Sequence, residues 1–252
     1  MAGIYGAFDM NGTSKTEALA ALLNKMSSYT AGSEGQAHLC EQLAISSKRL
    51  SNQNIGGAVY DNNRGISVAF EGEIYNKAEL REKLSQSGVK PSDNSDAQII
   101  LELFGLYKTK CFELLKGMYA FLVYSKEDNA LYLVRDRAGE KPLYYAQKDG
   151  ILLFSGDLNC ISCSNVVSKN INATALGQYL LIGYIPSPLT IYEEISAVEP
   201  GTYLKITQNG IEHNEYWKLV CSEEAMITDY DKCKSQLRNT LIKSVEDLHT
   251  AE

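Results

Sequence analysis

A layered α+β fold, with antiparallel sheets covered by helices, is the architecture that this 252-residue sequence predicts. Three hairpin signals, at Asp61 to Gly65, Glu127 to Asn129 and Lys148 to Gly150, each divide two short apolar runs. Two amphipathic segments, Lys77 to Ser87 and the run after Ser95, supply helices to lie on the sheets so formed. Hairpins join neighbours antiparallel, so a parallel βαβ sheet is not expected.

Gly3 to Phe8 reads as a buried strand, and Ser14 caps a helix over Glu17 to Met26 with Leu19, Leu22 and Leu23 on one face. Tyr29 to Gly35 is a Gly and Ser-rich loop, Ala37 to Ala44 a strand, and Ser51 to Asn54 a turn. Strands Gly57 to Asp61 and Ile66 to Glu71 follow. The second is expected to break at Gly72, freeing backbone amides to face a ligand. Asn76 caps the helix that ends before Gly88, and Ser95 caps the next, which carries Ile99, Ile100, Leu103 and Phe104 on one side. Met118 to Ser125 pairs with Ala130 to Arg135, and Leu143 to Gln147 with Ile151 to Ser155. Ala173 to Ile182 is a short helix stopped by Pro186 and Pro188, and a last hairpin turns at Asn209-Gly210. After a polar linker, Tyr230 to Leu248 is a helix with Leu237, Leu241, Val245 and Leu248 on one stripe. That stripe needs a partner.

The chain is 44% hydrophobic and 22% charged, enough for a sizeable core. Its net charge of -7 and scattered basic residues argue against a nucleic-acid surface. No run is long enough to span a bilayer and no secretory signal is visible, so a cytoplasmic protein is the expectation. Six cysteines read as free thiols, and Cys160-x-x-Cys163 lacks the further ligands of a zinc site. No metal is expected here.

The most specific run is Arg135-Asp136-Arg137-Ala138-Gly139-Glu140-Lys141-Pro142-Leu143-Tyr144-Tyr145. With it stand Gly3-Ile4-Tyr5-Gly6, Arg49-Leu50, Glu71-Gly72-Glu73-Ile74-Tyr75-Asn76, Ser95-Asp96 before Ile99-Ile100, and Leu115 to Phe121. Ile195 to Leu204 and Tyr216-Trp217 extend the set. Together they resemble the class II glutamine amidotransferase domain of the asparagine synthetase family. The resemblance implies a four-layer αββα sandwich of the N-terminal-nucleophile (Ntn) hydrolase type and hydrolysis of the glutamine side-chain amide. It makes 1–217 that domain, and 218–252 a linker and first helix of a truncated or missing synthetase domain. The eleven-residue run identifies the fold and not the activity, since no catalytic step needs it.

The chemistry of that family needs a thiol on the residue exposed by loss of Met1, whose α-amine acts as base, and two donors for the tetrahedral oxyanion. Position 2 is Ala2, which has no nucleophilic atom, and no Ser or Thr stands in the first ten residues. The oxyanion asparagine of the family is replaced by Glu71, which when ionised donates nothing, although Gly72 keeps its backbone N–H. Losing one such donor costs about 3 kcal/mol in the transition state. The family's His-Arg-Gly-Pro-Asp loop aligns with Tyr29 to Glu34, a third departure. The binding half survives: by resemblance Arg49 grips an α-carboxylate, with Lys48 and Arg64 as neighbouring cations, while Glu73 and Asp96 meet an α-ammonium. Asp96 is explained nearly as well by helix-start stabilisation.

The expectation is therefore a glutaminase-type domain unable to hydrolyse glutamine, with a scaffold or amino-acid-binding role beside an ATP-dependent amide-forming domain in cis or trans. ATP and Mg would belong to that missing domain, because this chain has no Ser-Gly-Gly-x-Asp-Ser loop and needs no cofactor of its own. Alternatives are an active synthetase carrying a Cys-to-Ala change, a non-enzymatic binding module, and a β-lactam-synthetase-like protein. A homodimer is compatible with each.

Overall fold

In a computed structural model, residues 3–14, 16–27, 37–40, 42–48, 57–222 and 226–249 are described. Every residue of β1 (Gly3–Asp9) is buried, and its side chains alternate between two surroundings. Ile4 and Phe8 enter one cluster with Ala69, Leu122 and Leu133, whereas Tyr5 and Ala7 enter another with Leu19, Leu23 and Met26. That period of two makes β1 a strand covered on both faces. Each aliphatic or aromatic side chain so buried stabilises the fold by about 2 kcal/mol.

The clusters are the seams of a layered molecule. Among the described residues the strands form two six-stranded sheets. The first contains β1, β2 (Ala37–Leu39), β3 (Leu43–Lys48), β8 (Tyr144–Lys148), β9 (Ile151–Ser155) and β10 (Ser196–Ala197) in the order β10-β8-β9-β1-β3-β2. The second contains β4 (Gly57–Asp61), β5 (Ile66–Ile74), β6 (Gly117–Ser125), β7 (Ala130–Arg135), β11 (Thr202–Thr207) and β12 (Gly210–Glu215) in the order β12-β11-β7-β6-β5-β4. Every pairing is antiparallel. The sheets face each other across the Ile4, Phe8, Leu122 and Leu133 seam.

Helices cover the outer faces. Helix α1 (Thr16–Ser27) and the short α4 (Leu158–Ser162) lie on the first sheet; α2 (Lys77–Gln86) and α3 (Asp96–Tyr107) lie on the second, where Ile99, Ile100, Leu103 and Phe104 meet Val68, Phe70 and Phe121. The antiparallel αββα sandwich read from the sequence is therefore the fold. Two further helices, α5 (Ala173–Ile182) and α6 (Tyr230–His249), follow. No helix among the described residues is long and apolar enough to cross a membrane.

Three local expectations need correction. Ala37 to Ala44 is not one strand but two, reversed where Cys40 and Leu43 exchange backbone hydrogen bonds at 2.8 and 3.3 Å. The strand expected to break at Gly72 continues to Ile74, because Gly72 adopts φ +123° and pairs with Tyr119. A Cβ there would come 2.1 Å from the Met118 carbonyl oxygen, so only glycine lets the two strands approach this closely. Asn76 does not cap α2 with its side chain. Its amide instead donates to the Leu114 carbonyl and to Glu79 while its oxygen accepts the Lys116 N–H, tying the end of β5 to the start of β6.

Ser95 does cap α3, its Oγ accepting the Gln98 N–H at 3.2 Å, and Asn172 caps α5 through Ala175. The Ser51 to Asn54 turn and the Tyr29 to Gly35 loop lie outside the described residues.

Candidate functional site

Glu71 follows Ala69 by two along β5, so its side chain points to the same side, into the space between the sheets. There its Oε2 accepts the Ile4 N–H of β1 at 3.4 Å. The Ile4 carbonyl in turn accepts the Gly156 N–H at 2.9 Å, just past the end of β9. A Cβ on Gly156 would sit 2.7 Å from the same carboxylate oxygen, and one on Gly3 would sit 3.7 Å from it. The carboxylate thus occupies the corner where the beginning of β1 meets the end of β9. Burial raises the Glu71 pKa, and the positive charge of Lys141 opposes the rise.

Gly3 pairs with Lys48. These are the chain neighbours of Ala2 and Arg49, which themselves lie outside the described residues, as does the Tyr29 to Glu34 segment. Of the two other cations considered for the α-carboxylate, Lys48 has no described side chain, and Arg64 is committed elsewhere. Its guanidinium holds Glu102 through two bonds of 2.8 and 3.0 Å and Asp61 through a third of 2.6 Å, fastening the β4–β5 hairpin to α3.

Tyr119 directs both backbone groups away from β5: its N–H donates to the Asp136 carboxylate at 3.3 Å and its C=O accepts the Asp136 N–H at 2.9 Å. Antiparallel pairs alternate in their hydrogen bonding, so Gly72 opposite it turns its own N–H toward the other side of β5. There the described part of β4 begins only at Gly57, opposite Phe70. The strand does not break at Gly72, whose backbone N–H faces away from Tyr119.

Asp96 lies at the first turn of α3 and is buried. The Lys77 ammonium stands 3.2 Å from its Oδ1, but not in line for a hydrogen bond, and that oxygen has no hydrogen-bond partner. Burial pushes its pKa up to about 6, with Lys77 opposing the shift and the Glu73 carboxylate adding to it. Glu73 repels the Asp96 carboxylate and Lys77 offsets that repulsion. The sequence had not singled out Lys77; a lysine opening α2 looks like an ordinary surface charge.

The Arg135 to Tyr145 run is built around Asp136. Its carboxylate is wholly buried and accepts N–H groups from Tyr119, Ala138, Glu140 and Lys141 at 3.0 to 3.3 Å. Arg135 donates to the carbonyls of Gly139, Lys141 and Val198. Tyr216 donates to the Arg135 carbonyl at 2.7 Å and shares a 3.0 Å contact with Tyr119. Gly139 takes φ +71° in the turn. The run is held together by Asp136 as its hub, a role that the sequence had not singled out.

Among the described residues no group of three His, Cys, Asp or Glu is placed to hold a metal ion. None of the six cysteines forms a disulfide, Cys160 being buried and Cys163 half-buried. A cleft of about 550 Å³ opens between Tyr75, Glu79, Lys116 and α6, and includes none of Glu71, Gly72, Glu73 or Asp96.

Two facing antiparallel sheets with helices on their outer faces form the αββα sandwich of the Ntn-hydrolase fold. Among solved structures, the glutamine phosphoribosylpyrophosphate amidotransferase of Bacillus subtilis superposes over 86% of this chain and 50% of its own, with TM-score 0.60 at 15% identity. The chain belongs to the class II glutamine amidotransferase family, whose model, described as a glutamine amidotransferase domain, matches residues 1–217. Curated relatives include asparagine synthetase [glutamine-hydrolyzing] 1 of Bacillus subtilis, 31% identical over 97% of this chain and 39% of its own length. Asparagine synthetase [glutamine-hydrolyzing] 2 of the same organism is 27% identical over 87% of the chain and 31% of its own length. The chain therefore spans under two fifths of either relative.

Proposed function

We propose that this domain holds an α-amino acid, glutamine first among them, without hydrolysing it, and acts beside an ATP-dependent amide-forming domain. The observation that carries the reading is the Glu71 carboxylate at the head of β1, 3.4 Å from the Ile4 amide. Negative charge set where an oxyanion must develop opposes the transition state that a donor would stabilise. Ala2 adds the second obstacle, since a methyl group cannot attack an amide carbon. The buried Asp96 carboxylate, near Glu73 and offset only by the poorly aligned Lys77 ammonium at 3.2 Å, supports the retained binding half: an α-ammonium would supply a well-aligned donor and a second positive charge. Arg49 is the proposed partner of the α-carboxylate. ATP and Mg belong to the second domain, and a cytoplasmic setting suits both.

The test is enzymatic. Ala2→Cys is expected to release no glutamate from glutamine, whereas Ala2→Cys with Glu71→Asn should exceed it at least about 100-fold, the worth of one oxyanion donor. Equal turnover in the two variants would remove Glu71 from the account and favour an active synthetase bearing a single Cys-to-Ala change. Calorimetry with glutamine tests the pocket: heat is expected from the unaltered chain and none from Arg49→Ala. Identical heats would leave only a scaffold.

A further inference from the structure

Glu71 and Glu73 lie two apart in β5, and the ladder to β6 runs through both without a bulge, Glu71 opposite Ala120 and Glu73 opposite Met118. Their side chains therefore leave the same face of the strand, with their Cα atoms about 6.6 Å apart. Among the described residues no ammonium or guanidinium stands within 4.0 Å of either carboxylate. Lys141 bears on the Glu71 charge from farther off, and Asp157 counters Lys141. The Glu71 carboxylate accepts one long hydrogen bond among the described residues, from the Ile4 N–H at 3.4 Å, and its flanking neighbours Gly3 and Gly156 bring no side chain over it. It keeps room for a donor. Asp96, beside Glu73, is 8% exposed, and its Oδ1 meets only the Lys77 ammonium, 3.2 Å away and poorly aligned, so it too retains capacity for a well-directed donor.

We infer that this pocket prefers an α-amino acid with a second amine at the end of its side chain, ornithine fitting best, with the ω-ammonium on Glu71 and the α-ammonium on Glu73 and Asp96. This rests on the functional reading above, whose pocket it keeps, and names the ligand class that Glu71 selects. In ornithine five bonds of about 1.5 Å separate the two nitrogens, and the extended chain reaches about 6 Å, close to the spacing of the two glutamates along β5. Both ends meet a carboxylate at once. The carboxamide of glutamine would bring a neutral donor to Glu71, whereas an ammonium brings a charge-assisted hydrogen bond, roughly twice as strong. Replacing the family's asparagine by Glu71 thus does more than remove an oxyanion donor: it turns the side-chain end of the pocket from amide recognition to cation recognition.

Calorimetry on the unaltered full chain at pH 8 reads the preference. Ornithine is expected to bind at least about tenfold more tightly than glutamine, a difference of about 1.4 kcal/mol. Norvaline, which is ornithine without its ω-amine, and 2,3-diaminopropionate, whose nitrogens reach only about 4 Å apart, should each bind at least about tenfold more weakly than ornithine. Glu71→Gln, of the same size, should weaken ornithine by a similar factor and leave the glutamine affinity nearly unchanged. The ligand comparisons need no variant, so they decide even where Glu71→Gln fails to fold. Glutamine binding as tightly as ornithine, 2,3-diaminopropionate or norvaline matching it, or an ornithine preference that survives Glu71→Gln overturns the inference and keeps the pocket. Absence of heat from every amino acid discards the pocket and the inference with it.

Discussion

Asp136 and Asp96 are both more than nine-tenths buried, yet four backbone N–H groups close around the first while an oxygen of the second meets only the poorly aligned Lys77 ammonium, 3.2 Å away. Both stand beside a cation in space or sequence, Arg135 for one and Lys77 for the other, so charge balance does not separate them. Hydrogen bonding does. A carboxylate satisfied by its own chain fixes a turn, and one left short is strained until something else fills it.

The largest effect should come from emptying the satisfied site. Asp136→Ala leaves four donors facing one another in the interior and is expected to cost about 4 kcal/mol, read as a lower denaturant midpoint at unchanged slope. A loss under 1 kcal/mol would make the loop self-supporting and remove the contrast. Gly72→Ala comes next, at about 3 kcal/mol, since its Cβ would enter the Met118 carbonyl at a φ that side chains avoid.

Asp96→Asn should go the other way. Because its folded pKa is raised from 3.8 to about 6, the folded state binds the extra proton between those values. The associated stability is present below pH 3.8 and lost as the pH rises through 6, on the order of 3 kcal/mol in all. Asp96→Asn is expected to flatten that part of the pH–stability curve and to gain up to this amount at pH 7, while abolishing the glutamine heat. Burial raises Glu71 in the same direction, so the comparison must be the difference between variant and parent. The smallest effect belongs to Lys77→Ala, below about 1 kcal/mol, with the Asp96 titration midpoint moving upward because its opposing charge is gone. A downward shift would show that the ammonium does not act on Asp96.

Periodicity and turn chemistry made the layers legible in advance: the Asp61 to Gly65, Glu127 to Asn129 and Lys148 to Gly150 hairpins and the Ser95 cap are all local signals, and all formed. The division at Cys40 and the continuation of β5 through Gly72 were not legible, because each depends on what lies across the sheet. Glycine in a strand signals either an interruption or a close approach, and only the partner Met118 decides which. At the candidate site, Glu71, Glu73 and Asp96 were singled out from the sequence by resemblance. Lys77 was not, since its meaning lies in a contact with another helix. Asp136 could have been found from an aspartate followed by a turn of N–H donors, a recurrent use of that side chain.

The order of strands carries one more consequence. β1 lies between β3 and β9, with Tyr5 opposite Ser155. During synthesis, at roughly 5–20 residues per second, β1 leaves the ribosome about ten seconds before its second neighbour exists. Through that interval a mostly apolar ribbon has one edge unclaimed, so the nascent chain, more than the finished molecule, is exposed to mispairing there.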